Sequence, residues 1–106
     1  MIRFTVYKDA GNRYKGFKCE GHAQYSDAGS DIVCAAVSVL VQNTVNSIEK
    51  FTEDTVQCGS DDGLIIASFP KAPGRDAKLL MDSLVFGMEQ IAENYNDFVD
   101  IEIEEV

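Results

Sequence analysis

The sequence predicts an α+β fold of two layers, a mostly antiparallel sheet covered by two helices, with elements in the order ββαββαβ. Three patterns in the 106 residues carry that prediction. Apolar side chains alternate at every second position near both ends and in the middle of the chain, the period of a strand with one buried face. Two longer segments repeat apolar residues every three or four positions, the period of a helix. Turn-forming residues separate the alternating segments, so neighbouring strands are expected to fold back on each other.

The first strand is read from Ile2, Phe4 and Val6, which alternate with Arg3, Thr5 and Tyr7. Asp9, Gly11 and Asn12 mark a turn. A second strand is expected over residues 14–20, with Phe17 and Cys19 on one face and Lys18 and Glu20 on the other. Gly21 ends it. A loop then runs to Ser30 or Asp31, either of which is a good helix cap.

A helix is predicted over residues 32–50, with Val33, Val37, Leu40, Thr44, Ile48 and Phe51 on one stripe. Ile32, Ala36, Val39 and Val41 widen that stripe almost to a full circle, so the start of this helix should be buried on more than one side. Residues 52–58 and 64–69 read as strands of a hairpin turning at residues 59–63. Asp76 is expected to cap a second helix carrying Leu80, Leu84, Met88, Ile91 and Tyr95 on one face. Val99, Ile101 and Ile103 alternate with acids as a last strand. One domain over residues 1–106 is the expected organisation.

Composition narrows the function. The formal charge is −9, which argues against a nucleic-acid binder, because such proteins replace phosphate counterions with a basic face. Residues 32–41 form the longest apolar stretch, too short to cross a bilayer, so no membrane partner is expected. The N-terminus lacks a basic-then-apolar leader pattern, and a cytoplasmic location is expected. Three cysteines are an odd number with no disulfide spacing, and they read as thiols.

The residues that carry chemistry are the single histidine, His22, and Cys34. If Ser30 or Asp31 caps the helix, Cys34 falls in its first turn. Free N–H groups there favour a thiolate and can hold an oxyanion. His22 follows a strand end at the mouth of a loop, where a general base can face a nucleophile. The plainer alternatives are a core thiol and a surface imidazole. Asp31 either caps the helix or turns to orient His22. Ser38, one turn beyond Cys34, either touches the thiol or bonds back to the preceding turn. Cys19 and Cys58 both read as core thiols on inward strand positions. A rival arrangement makes Cys19, His22, Cys34 and Cys58 the four ligands of a structural zinc.

The run GHA, then Tyr25, Gly29 and SDIVCAAVS, resembles the signature of the ribosomal-processing cysteine protease Prp family. The resemblance extends over the whole chain. It implies a cytoplasmic bacterial enzyme that removes a short N-terminal extension from a large-subunit ribosomal protein, cutting after an apolar, typically aromatic, end. It implies His22 as general base and Cys34 as nucleophile, with Asp31 and Ser38 as supporting residues, no cofactor, and a homodimer. Gly21, Tyr25 and Gly29 become the substrate loop, and Tyr25, its only large apolar side chain, is the expected substrate contact. Gln24 and Ala28 depart from the family pattern, within that loop. A noncatalytic module that holds a ribosomal protein during assembly is the rival from another class.

Overall fold

The computed structural model describes residues 1–21 and 28–106, with side chains of the second span from Ile32 onward. The elements are β1 (Ile2–Lys8), β2 (Tyr14–Glu20), α1 (Ala28–Phe51), β3 (Gln57–Asp61), β4 (Leu64–Ser68), α2 (Arg75–Asn94) and β5 (Val99–Glu105). This is the expected ββαββαβ order. The sheet runs β3-β4-β2-β1-β5, antiparallel except where β5 lies parallel to β1.

Strand alternation divides the sheet into two faces. Phe4, Val6, Phe17 and Ala67 point inward and are at most 2% exposed. The rings of Phe4 and Phe17 meet at 5.5 Å. Thr5 faces Lys18 and Glu102 on the other side, and Arg3 faces Glu20 and Asp100, which makes that side polar. Both helices therefore pack on the apolar side. α1 contributes Val33, Val37, Val41, Val45 and Ile48, and α2 contributes Ala77, Met81, Leu84 and Met88. The helices approach closely at Gly87, where a Cβ would lie 2.8 Å from Cδ2 of Leu40. From Ile32 to Phe51, α1 is long and apolar enough to cross a membrane by length and composition alone. The expectation that its apolar stretch is too short to span therefore does not hold on length and composition; 33% of that window is buried, and Ile32, Val39 and Phe51 are exposed.

The main departures from the sequence reading are at the two helix starts and at the third strand. α1 starts at Ala28, so Ser30 and Asp31 are inside the helix and neither caps it. A cap contributes about 1 kcal/mol, less than continued hydrogen bonding on a helix already anchored by Val33 and Val37. α2 likewise starts at Arg75, with Gly74 at the cap position and Asp76 in the first turn, where its charge complements the helix dipole. Gly74 is held from outside, its N–H donating to Asp54 Oδ2 at 2.9 Å.

The third strand is displaced toward the turn. Thr52 donates its hydroxyl to the Ile48 carbonyl at 2.7 Å and accepts the Asp54 N–H at 3.1 Å. Those local bonds keep residues 52–54 out of the ladder. The strand instead begins at Gln57 and runs to Asp61, leaving Asp62 and Gly63 as a two-residue turn with Gly63 at φ 70°. As the sheet edge, β3 is exposed throughout, so Cys58 is exposed and not a core thiol. Phe51, predicted on the buried stripe, is also exposed, at 69%.

Candidate active site

Strand β2 delivers the chain to His22, and Gly21 fixes where it leaves the sheet. Gly21 has φ 91°, and a Cβ there would collide with the carbonyl oxygen of Met1. Its N–H donates to the Gly63 carbonyl at 2.8 Å. Only glycine fits this backbone conformation without strain. The turn between β3 and β4 thus clasps the end of β2, one residue before the histidine.

Gly21 opens onto a cavity of about 330 Å³ between α1 and the sheet. Cys34, Val37, Ser38 and Gln42 form its helical wall. Ile2, Cys19 and Ile65 line it from the strands, and Asp61 and Gly63 belong to the β3–β4 hairpin. Cys34 is partly buried here, packed against the core cluster. Ser38 is exposed on the same wall, one turn further along. The cavity therefore holds two thiols, and their surroundings separate them. Burial first, then the neighbouring Cys34 and Glu20, push the Cys19 thiol up to about 11. At neutral pH Cys19 stays protonated, which makes it a poor nucleophile. Burial and Glu49 push the Cys58 thiol up as well.

Cys34 is the seventh residue of α1, not a first-turn residue. Its N–H lies within the i→i−4 ladder, and the strongest helix-dipole field is a turn away. The expected activation of Cys34 by free first-turn N–H groups does not survive this placement. His22 and Tyr25 lie outside the described residues, as do the side chain of Asp31 and the rest of the substrate loop up to Asp27. Gly29, expected in that loop, is in the first turn of α1.

The zinc arrangement fails on its cysteines. Cys19 and Cys34 line the same cavity, whereas Cys58 lines a second one further along α1. Among the described residues no three His, Cys, Asp or Glu side chains come together as metal ligands. Sequence reasoning missed the other walls of the site: Ile2, Gln42, Asp61, Gly63 and Ile65. Of these, Asp61 and Gly63 carried a local signal, since both fall in the hairpin turn expected over residues 59–63. Nothing in the sequence showed that the turn grips Gly21.

A family model described as cysteine protease Prp matches residues 1–100. The ribosomal processing cysteine protease Prp of Bacillus subtilis (strain 168) is 28% identical over 103 residues, 92% of each chain. SMU.848 from Streptococcus mutans is 31% identical, with TM-score 0.86 over 100% of this chain and 96% of that one. The Prp protease of S. aureus, crystallised with a covalently linked product peptide, has TM-score 0.90 over 98% of this chain and 100% of its own. At 24% identity that likeness shows the shared fold. The rival reading as a noncatalytic assembly module gives way to these matches: from its first strand to the start of its last, the chain belongs to the Prp family of cysteine proteases.

Proposed function

We propose that this protease removes a short N-terminal extension from a bacterial large-subunit ribosomal protein, with Cys34 as nucleophile and His22 as general base. The observation that carries the reading is that Cys34 and Gly21, the residue before His22, line one cavity. The names of the relatives support the substrate class, as ribosomal processing proteases.

In the first half-reaction the Cys34 thiolate adds to the carbonyl carbon of the scissile bond. The C–N bond then breaks and His22 gives its proton to the leaving amine. In the second, water adds to the thioester while His22 takes its proton, and the carbon–sulfur bond breaks to return the thiolate. In this reading Asp31 orients His22, a role that its place inside α1, away from the cap, supports. Ser38, exposed on the cavity wall, meets the substrate backbone. The apolar residue before the cut enters the cavity over Ile2, Val37 and Ile65.

Incubating the protein with an extended ribosomal protein should yield a product shorter by the extension, read by mass. Cys34→Ala and His22→Ala should each abolish it. Equal cleavage by Cys34→Ala would overturn the assignment. Such a substrate places the enzyme in the cytoplasm, and its appearance in the membrane fraction of lysed cells would count against this.

We further infer a homodimer through the outer face of α1. Ile32 is 62% exposed and Val39 68%, two turns apart on one face. Beside them lies a groove lined by Ala35, Ala36, Val39, Leu40 and Ile91. Two apolar residues so exposed on one helix are what a symmetric contact covers. Light scattering should give twice the chain mass, and Val39→Lys should halve it. A wild-type monomer at micromolar concentration would refute the dimer.

A further inference from the structure

The cavity beside Cys34 does not end at the reacting thiol. A second cavity, of about 300 Å³, follows along α1 and shares Val41, Gln42, Ser60 and Ile65 with the first. The two form one trough, with α1 as one wall and the exposed edge strand β3 as the other. Its far end is bounded by Asn46, Glu49 and Cys58. Glu49 stands on the helical wall at that end and Cys58 on the strand wall.

The dimensions suit an extended peptide. Cys34 and Glu49 are fifteen positions apart on α1, about 22 Å of helix at 1.5 Å per residue. An extended chain covers that distance in about six or seven residues. The proposed substrate has a short segment on the amino side of the cut and a folded body on the other. Only the short segment fits a channel walled by helix and strand.

We propose that this trough holds the extension as an extended strand and that Glu49, at its far end, selects a Lys or Arg side chain about six residues before the scissile bond. The proposal rests on the proteolytic reading above and adds a specificity-determining residue to it. Gln42, Asn46 and Ser60 offer polar side chains along the walls, which suits hydrogen bonding to a passing backbone. Val41 and Ile65 give the middle of the trough an apolar floor. Glu49 is exposed, so its pull on a cation is modest and sensitive to salt.

Two measurements test this. The first is kcat/KM on peptides that keep one cleavage site but carry three or eight residues before it, the longer with Lys or Glu at the sixth. The long Lys peptide should be cut about tenfold better than the short one, and about fivefold better than its Glu counterpart at low salt. In Glu49→Lys the Lys-over-Glu preference should reverse. The second uses Cys34→Ala, which binds without turnover, and follows alkylation of Cys58 by iodoacetamide with site-resolved mass spectrometry. The long peptide should protect Cys58 severalfold and the short one should not. Equal cleavage of short and long peptides, or an unchanged charge preference in Glu49→Lys, overturns the proposal, as does Cys58 alkylation indifferent to peptide. If the extended ribosomal protein is not cut yet the long peptide still shields Cys58, the trough stands as a peptide site and the proteolytic assignment falls.

Discussion

Replacing Gly21 with alanine should damage the enzyme at one point while leaving the rest of the fold in place. Two costs add. The φ of 91° is a conformation that residues with a Cβ rarely adopt, and holding one there costs about 1–3 kcal/mol. The new methyl group must also displace the Met1 carbonyl, and overpacking of that kind costs about 1–3 kcal/mol. The total is about 3 kcal/mol, a large share of the ~5–15 kcal/mol that holds a domain folded. With a urea slope of roughly 1.5 kcal/mol per molar, the midpoint should fall by about 2 M.

The chain can relieve part of the strain by releasing the Gly21 N–H from the Gly63 carbonyl. That displaces the backbone immediately before His22, the proposed base. Cleavage should therefore fall by more than the lost stability explains, at temperatures where the variant is fully folded. Gly59→Ala is the matched control, because a Cβ there meets nothing within 4 Å; it should cost less than about 0.5 kcal/mol. If Gly21→Ala keeps both the wild-type urea midpoint and the wild-type kcat/KM, the clasp argument is wrong.

Three other outcomes follow from buried polar and thiol groups. Tyr14 donates its hydroxyl to Asp82 at 2.5 Å, and Lys78 holds the other carboxylate oxygen at 2.8 Å. Tyr14→Phe should cost about 1–2 kcal/mol at pH 7 by thermal melting. Lys78 first, then Tyr14, hold the Asp82 carboxyl below its ordinary value of 3.8. The stability this gives is present above pH 4 and is lost as pH falls through the lowered value, so the Tyr14→Phe deficit should shrink in acid. Cys19, raised from 9.0 to about 11, acts at the other end of the scale. Its contribution is present below pH 9 and is lost as pH rises through about 11, because the unfolded chain releases that proton first. Cys19→Ala should flatten the alkaline fall in urea midpoint, and an unchanged slope would refute the burial argument. Finally, Cys19→Ser should cost about 1–3 kcal/mol, since it leaves a hydroxyl in an apolar place, whereas Cys58→Ser should shift melting hardly at all.

The contrast between those two thiols shows what the sequence could and could not reveal. Alternation assigned Cys19 and Cys58 to the same kind of position, an inward site on a strand. Cys19 lies on β2, with β4 and β1 on either side, and is 8% exposed. Cys58 lies on the edge strand and is exposed. Period-two patterning reports which face a side chain takes, but the depth of cover depends on strand order. Strand order arises from long-range pairing that no local window contains. The element order, by contrast, was legible because each element carries its own periodicity. The boundaries moved wherever a local bond outweighed the pattern, as at Thr52, or where packing outweighed a cap, as at Ser30 and Asp31.

The site was legible to a different degree for a related reason. A single histidine and a cysteine flanking one loop are visible in the chain, and so is the glycine that precedes the histidine. What joins Cys34 to the neighbourhood of His22 is a turn some forty residues later, where the Gly63 carbonyl holds the Gly21 N–H and so anchors the end of β2 beside α1. The same register that brings Leu64 opposite Glu20 puts Ile65 opposite Cys19, in the lining of the cavity beside Cys34. A shift of one residue in that pairing would turn Ile65 to the polar face and remove it from the lining. The hairpin's two-residue turn is therefore a determinant of the active site as much as of the sheet. That turn, Asp62 and Gly63, sets Ser60 opposite Ile65, and this cross-strand pair lines both cavities along α1.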